Sequence, residues 1–460
     1  MIKTSAVDDA LDAAYVSDGE NAARAAAPGW LATLRARGLA RFRHTGLPHR
    51  RIEAWKFTDL RHALGQHFPP AEPFEGAVLR ENLSPDPFAA LDGPAMVFVN
   101  GFFRPDLSRL RGLPKGVQVE PLGELLKDAP GWLASRLGQS LPLTGEPVQG
   151  LNLALMRDGA VIRVPAGVKA ATPLRLVFIS PESEAETASH ARVLVVMEQG
   201  AEAVLLESHV GGGGERLVTL GTEIVMARGA RLDHVKAHTG GAGTVHTAGV
   251  FASLEERADY RSFFLTTGGR LTRNDVRVTF NGPHAHAQVS GASLVTGNMH
   301  VDNTTFLDHG APDCRCREVF KSVVAETGRN VFQGKIRVQP GAQRTDGYQL
   351  SNALLLSPKA ENDAKPELEI YADDVKCSHG STAGALEEAA LFYLESRGLD
   401  PATAKSLLIA AFVREGLNDV PREEVREALD ATVTGWLDAH RESIAGAAAE
   451  HWSDFDADET

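Results

Sequence analysis

This sequence contains few cysteines, carries more acidic than basic residues, and has no long apolar run. Three cysteines in 460 residues, Cys314, Cys316 and Cys377, cannot form a disulfide framework, so reduced thiols are left available as metal ligands. The net charge of -13 argues against nucleic acid or a membrane as partner, because both need clustered Lys and Arg. No apolar run has the length of a membrane span.

The chain also starts without the features of a secretory signal. Residues 1–9 carry Asp8 and Asp9 early and lack a basic start followed by an apolar stretch, so a cytoplasmic location is expected. With 43% hydrophobic and 23% charged residues, the composition is that of a globular protein. The length corresponds to roughly two to four domains unless a repeat architecture absorbs it.

The first 150 residues are predicted to form a mostly helical N-terminal region. Residues 22–27 and 30–37 are rich in Ala, Leu and Arg, which are strong helix formers. Gly38 follows them and suits a helix C-terminus.

Residues 151–382 have a different sequence pattern, in which short β-branched runs are separated by glycine. The turn glycines Gly167, Gly200 and Gly229 recur at intervals of roughly 30 residues, and alternating runs such as 201–207 follow them. Such strands could form a sandwich, a propeller or a parallel β-helix, and the recurring Gly-Ala corner favours a parallel β-helix core. The five segments that superimpose are 161–167, 195–201, 224–230, 276–282 and 336–342.

Helical spacing returns in residues 383–460, which are predicted to form a C-terminal helical domain. Leu386, Ala390 and Tyr393 fall on one helical face, and Pro421 suits the start of a further helix. The fold class is therefore mainly β, with helical parts at both ends of the β-helix core.

Cys377 and His379 are the strongest candidates for chemistry. Two residues apart in an extended segment, they project from one face of a strand. A thiolate and an imidazole suit iron, an iron–sulfur cluster or zinc. They make half of a tetrahedral site, and the missing donors could come from Cys314 and Cys316 or from another chain. The alternative is a buried cysteine beside a strand-end histidine with no metal.

Other residue groups have ordinary structural explanations. Cys314 and Cys316 place two thiols on one face of a strand but lack a second pair at metal-site spacing. His284, His286 and His300 could hold a catalytic metal, whereas alternation on a β-helix places them more simply on a solvated outer face. The adjacent acids at 373–374 are typical of a turn.

The sequence offers little for catalysis. Residues 328–336 approach a phosphate loop, but one residue too many separates Gly328 from Gly334 and no Ser or Thr follows Lys335. The chain is therefore not expected to bind a nucleotide or to be an enzyme. A carbohydrate-active β-helix enzyme, using carboxylates along a groove, remains the alternative.

Several ordered segments resemble the SufB/SufD family of iron–sulfur cluster assembly proteins. They cover residues 250–415 densely and the rest of the chain in outline. The segments are 53–60 (EAWKFTDL), Asp308-His309 with Pro312 and Cys314, 331–336 (VFQGKI), 343–352 (QRTDGYQLSN), 354–357 (LLLS), 366–370 (PELEI), 373–380 (DDVKCSHG), 390–394 (ALFYL) and Arg397-Gly398.

This resemblance implies a right-handed parallel β-helix flanked by helical N-terminal and C-terminal parts. It also implies a non-catalytic scaffold subunit of an ATP-driven assembly complex. A SufD-like chain pairs with a SufB-like chain, each carries a SufC-like ATPase on its C-terminal helical part, and a homodimer is conceivable in isolation. His379 maps onto the family's interfacial ligand and Cys377 lies beside it. Both are expected to contribute to a transient iron–sulfur cluster site that the SufB-like partner completes.

Within the family the sequence resembles the SufD-like branch. A SufB-like chain is expected to carry a cysteine between Gln349 and Leu356, and none occurs there. Cys316 and Ser381 stand where the family pattern has serine and alanine, so neither is assigned a role. The SufB-like paralogue is the competing interpretation.

Overall fold

The computed structural model describes residues 6–25, 27–78, 84–142, 145–182, 186–441 and 444. Helices predominate before residue 156, and Glu53–Trp55 form a 3₁₀ turn. Three short strands among them were not predicted from the sequence. In chain order the elements are α1 (Ala6–Arg24), α2 (Gly29–Thr45), α3 (Leu60–Leu64), β1 (Ala95–Val99), β2 (Phe102–Phe103), β3 (Gln118–Pro121), α4 (Leu122–Leu125), α5 (Gly131–Ala134) and α6 (Pro147–Leu155).

In the described residues that follow, strands succeed one another with no helix between them until residue 384. They are β4 (Asp158–Val164), β5 (Leu174–Ser180), β6 (Thr187–Met197), β7 (Glu202–Gly211), β8 (Arg216–Met226), β9 (Arg231–His238), β10 (Thr244–Leu254), β11 (Asp259–Thr266), β12 (Leu271–Phe280), β13 (His286–Val295), β14 (His300–His309), β15 (Arg315–Val324), β16 (Arg329–Val338), β17 (Asp346–Leu355), β18 (Glu361–Ile370) and β19 (Lys376–Gly384).

These strands form two sheets, and the chain crosses from one sheet to the other after each strand. The odd-numbered strands make a ten-stranded sheet that runs from β19 to β5 and ends with β1 and β2, and the even-numbered strands make a nine-stranded sheet from β18 to β4, ending with β3. All neighbours pair in parallel except β1 with β2 and β3 with β4. The predicted fold, a parallel β-helix flanked by helices, is confirmed, with about 8 turns.

The sequence repeat is visible because equivalent residues of successive coils pair in register. Each repeated segment belongs to the nine-stranded sheet and directs the same position into the space between the sheets. There the side chains stack as a continuous apolar row, in which each residue is the Cα partner of the next. The row consists of Ile162, Val195, Ile224, Ala252, Val278, Leu307 and Ile336.

A second row runs along one corner of the solenoid, where the backbone takes positive φ. The predicted turn glycines Gly167, Gly200 and Gly229 have φ of 70°, 65° and 67°. Later coils place residues with side chains at this corner, which is why the glycine repeat fades after residue 229. They are Arg257, His284, Asp313 and Arg344.

The outer faces of the two sheets are covered by different helices. In the N-terminal part, Leu151 and Leu155 of α6 pack with Leu217, Val245 and Leu271 of the nine-stranded sheet. At the other end of the chain the helices are α7 (Glu388–Ser396), α8 (Pro401–Leu417) and α9 (Glu423–Ala439).

The C-terminal helices cover the ten-stranded sheet. Val413 of α8 and Leu429 of α9 belong to a buried cluster with Phe263 and Val323. Ser290 donates a hydrogen bond to Asp419 at 2.6 Å. The last coil lies outside this cover, since β18 and β19 contain no fully buried residue.

The motif at residues 53–60 attaches the N-terminal part to the solenoid. The Arg273 guanidinium lies 4.0 Å from the centre of the Trp55 ring and donates to the carbonyl of Ala54 at 2.8 Å. The same guanidinium and the Thr58 hydroxyl both donate to Asp302. This motif therefore holds the N-terminal part against β12 and β14.

Candidate functional site

Cys377 and His379 lie on β19, the terminal strand of the ten-stranded sheet. Cys377 pairs with Gly347 of β17, and His379 pairs with Gln349. Cys377 packs against the core between the sheets, and His379, two residues further, faces the same way. Because β19 ends the sheet, Cys377 is half-buried and His379 is exposed. The predicted pair therefore lies at the open mouth of the solenoid.

The next layer inward contains a second thiol. Gly347 pairs on its other side with Cys316 of β15, which is 4% exposed. Burial raises the pKa of the Cys377 thiol. Burial, reinforced by repulsion from Glu318, raises the pKa of Cys316 well above its ordinary value. Both groups are therefore neutral thiols near pH 7 and become strong ligands only when a metal displaces their protons.

Behind His379 lies a polar row. Gln349 is fully buried and its Nε2 donates to Oε2 of Glu318 at 2.7 Å. Its Oε1 has no hydrogen-bond partner among the described residues, so an acceptor is available next to His379. Burial raises the pKa of Glu318 to about 7. Sequence reasoning missed both residues, although their spacing of two from the inward-facing Cys316 and Gly347 was a usable signal.

Cys314 is directed elsewhere. It precedes β15, is fully buried, and donates through Sγ to the carbonyl of Gly282 at 3.3 Å. Of the two cysteines considered as further donors, only Cys316 shares a pairing row with Cys377 through Gly347.

The candidate histidines are separated by the solenoid. His284 stands at the positive-φ corner and is exposed, whereas Nδ1 of His286 lies 2.8 Å from Oδ1 of Asp259. His300 is packed against Thr58 under the N-terminal part, at 3.1 Å. In the part of the chain that the structure describes, no three His, Cys, Asp or Glu side chains form a group able to hold a metal.

The acids at 373–374 form the corner before β19. The N–H of Asp374 donates to the Gln343 side chain at 2.9 Å, and its carbonyl accepts from the N–H of Arg344 at 2.6 Å. Both carboxylates are exposed. This arrangement agrees with the turn expected for adjacent Asp residues.

A buried polar cluster inside the solenoid was not predicted from the sequence. His209 Nε2 lies 2.6 Å from Oε1 of Glu207, and Nζ of Lys236 lies 3.0 Å from Nε2 of His246. Burial lowers the pKa of Lys236 to about 8. Although burial alone would raise it, Lys236 and His209 hold the pKa of Glu207 well below its usual value. The cluster is enclosed and pairs its own charges.

None of the described helices is both long and apolar enough to cross a membrane.

Known proteins match this chain over most of its length. A family model for the SUF system FeS cluster assembly, SufBD core domain, matches residues 178–412, and one for the SufBD protein N-terminal region matches residues 13–176. An iron–sulfur cluster assembly SufBD family protein of Synechocystis is 30% identical over 401 residues, covering 84% of this chain and 87% of that protein. Iron–sulfur cluster assembly protein SufD of Escherichia coli is 32% identical over 390 residues, covering 84% and 88%.

The two matched regions together take in the N-terminal helices, the solenoid and the start of the C-terminal helices. Both relatives match over most of their own length, so the similarity is not confined to the motifs around residues 373–380. The resemblance in those motifs is thereby confirmed. The chain belongs to the SufBD family of SUF-system iron–sulfur cluster assembly proteins.

Proposed function

We propose that this chain is a non-catalytic, SufD-like scaffold subunit of a cytoplasmic iron–sulfur cluster assembly complex. It contributes Cys377 and His379 to an assembly site that a SufB-like partner completes, and the cluster is the cargo of that site. ATP is bound and hydrolysed by a SufC-like subunit. The similarity to SufD of Escherichia coli supports the choice of branch.

The observation that carries this proposal is the position of the two donors at an open sheet edge. Two donors are too few to hold a cluster, and among the described strands β19 has a paired neighbour on its β17 side alone. A strand added to the free edge would bring its side chains next to Cys377 and His379. Incomplete ligation and an unpaired edge at the same place both favour a partner chain there.

The C-terminal helices provide a second surface. Phe392 and Tyr393 of α7 are 73% and 57% exposed, and Leu407 of α8 is 45% exposed. Large exposed apolar side chains grouped on neighbouring helices are typical of an interaction site. We assign this surface to the ATPase subunit.

Co-expression with SufB-like and SufC-like proteins tests the scaffold role. We expect one stable complex that gains iron and sulfide during anaerobic assembly, and no ATP hydrolysis by the isolated chain. Failure of the chain to associate with both proteins would overturn the proposal.

A variant at His379 tests the site itself. His379→Ala leaves an exposed position without a polar group, so folding and complex formation are expected to be unchanged. Cluster yield should fall by about tenfold or more, the usual effect of weakening a metal site. His62→Ala, which removes an exposed histidine from α3, is the matched control. Undiminished iron and sulfide in the His379→Ala complex would remove His379 from the site.

A further inference from the structure

Glu318, Gln349 and His379 form one inward-facing row at the mouth of the solenoid. The register of β15, β17 and β19 makes Gln349 the Cα partner of both other residues. Neighbouring strands are about 4.8 Å apart, so Gln349 lies between an inner carboxyl group and an outer imidazole. With Gln349 between them, Glu318 is able to act on His379 through the Gln349 amide.

The amide of Gln349 is oriented by Glu318. Nε2 of Gln349 donates to Oε2 of Glu318 at 2.7 Å, and a carboxylate accepts hydrogen bonds but cannot donate them. The NH₂ group therefore points inward, and Oε1, on the other branch of the amide, points away from Glu318. The facing sheet leaves room for the amide because residue 334 is glycine, and a Cβ there would collide with Nε2.

Oε1 of Gln349 is an acceptor in need of a donor. It is shielded from solvent and has no hydrogen-bond partner among the described residues. A buried acceptor left without a donor destabilises a protein. On the outer side of Gln349 the next side chain in the row is His379, which carries a ring N–H. Its ring is exposed and therefore able to turn toward Oε1.

We propose that Gln349 is a positioning residue for His379. Its Oε1 accepts a hydrogen bond from one ring N–H of His379, which fixes the tautomer and leaves the other ring nitrogen unprotonated. A histidine that binds a metal usually donates its second N–H to such an acceptor, which orients the ring and makes the ligand nitrogen more basic. The inference rests on the proposed function in that the unprotonated nitrogen is the one offered to the cluster.

Two substitutions test the row without touching His379. Gln349→Met removes the amide and keeps a side chain of similar length. Glu318→Gln keeps Gln349 but replaces the carboxylate by an amide, which donates as well as accepts, so the direction of Oε1 is no longer fixed. Gln339→Met is the matched control, because Nε2 of Gln339 donates to Asp308 at 3.0 Å and residue 339 lies outside the strands that pair with β19.

The first measurement is the tautomer of His379 in the isolated full-length chain. Histidine-selective ¹⁵N NMR at pH 8 reports it, and the His379 signals are identified by their loss in His379→Ala. We expect a single tautomer in the wild type and in Gln339→Met, and a mixture of both tautomers in Gln349→Met and Glu318→Gln. A mixture in the wild type, or a single tautomer that persists in both of the latter variants, would overturn the proposal.

The second measurement is the cluster yield of the complex with SufB-like and SufC-like proteins. We expect Gln349→Met to lower the yield about tenfold or more, as loss of a group that orients a metal ligand does, and to lower it no further in the His379→Ala background. A normal yield in Gln349→Met, where His379→Ala lowers it, would overturn the positioning role. A normal yield in His379→Ala would instead count against the proposed function, and the tautomer measurement would still judge the hydrogen bond.

Discussion

At the scale of single residues, burial determines the charge of several histidines. His309 stacks on Phe280 with ring centres 4.0 Å apart, and neither of its ring nitrogens has a hydrogen-bond partner in the described part of the chain. Burial lowers its pKa to about 4, although Asp308 opposes the shift. His209 and His300 are likewise lowered to about 4, mainly by burial. These side chains are neutral in the folded protein near pH 7.

The depressed pKa of His309 predicts that the protein loses stability in acid and that His309→Leu reduces this loss. Between pH 6.5 and 4 the His309 imidazole binds a proton in the unfolded chain but not in the folded chain. The free energy of unfolding is therefore unaffected by this group above about pH 6.5 and falls as the pH drops toward 4. His309→Leu should have a urea midpoint near that of the wild type at pH 7.5. At pH 5 its free energy of unfolding should exceed that of the wild type by roughly 1 to 2 kcal/mol, because the variant has no buried imidazole to protonate on unfolding.

Phe280→Leu is the control for this prediction. It removes the ring stack without removing a titrating group, so it should lower the urea midpoint by a similar amount at both pH values. An unchanged pH dependence in His309→Leu would contradict the assignment.

At the scale of secondary-structure elements, exposure distinguishes α7 from the helices next to it. α7 has no fully buried residue, whereas Val413 of α8 and Val425 of α9 are fully buried. The apolar side chains of α7 therefore contribute little to the stability of the isolated chain. Their exposure is accounted for by the proposed ATPase contact.

This difference predicts that a substitution in α7 weakens binding of the SufC-like subunit without lowering the stability of the chain. Phe392→Ser should change the free energy of unfolding by less than about 0.5 kcal/mol, as exposed substitutions usually do, and weaken binding of the SufC-like subunit about tenfold or more, as loss of an aromatic anchor does. Calorimetric titration of the two purified proteins measures the binding. Leu107→Ser, at a 39% exposed position of the N-terminal part, should bind normally. Normal binding by Phe392→Ser would place the ATPase elsewhere.

At the scale of the whole molecule, the two ends of the solenoid differ. The first coils are covered by the N-terminal part, whereas the last coil ends in β18 and β19. In the middle of β18, Pro366 lacks the N–H needed for further pairing. β19 contains no proline, so its edge is the one suited to a SufB-like strand or to a second copy of the chain.

The direction of the β19 backbone groups allows this edge to be blocked selectively. The N–H of Lys376 donates to Thr345, so alternate N–H groups, including that of Ser381, point to the free edge. Ser381→Pro should preserve the bonds to β17, leave the melting temperature nearly unchanged, and weaken association with the SufB-like partner at least tenfold. Ser381→Ala, which keeps the N–H, should associate like the wild type in sedimentation experiments. Equal association of the proline variant would exclude pairing through β19.

Much of the fold could be predicted because a solenoid repeats one local pattern. Ile162, Val195 and Ile224 occupy equivalent positions of successive coils, and the glycines at 167, 200 and 229 mark the corner. The pattern was harder to follow later in the chain because the corner tolerates other residues, such as Arg257 and His284. The strands β1 and β3 were missed because β5 and β4, with which they pair in the two sheets, lie far along the sequence. β2 has only two residues, too few to show a strand pattern.

The sequence by itself determined the class of fold and the family and gave Cys377 and His379 as the candidate pair, because each depends on residues close together in the chain. Only the tertiary structure decided what stands beside that pair. Cys316, Glu318 and Gln349 are brought behind the pair by pairing between strands roughly 30 residues apart, and a repeat of that length does not specify which inward side chains meet. For the same reason, only the structure distinguishes Cys316 from Cys314.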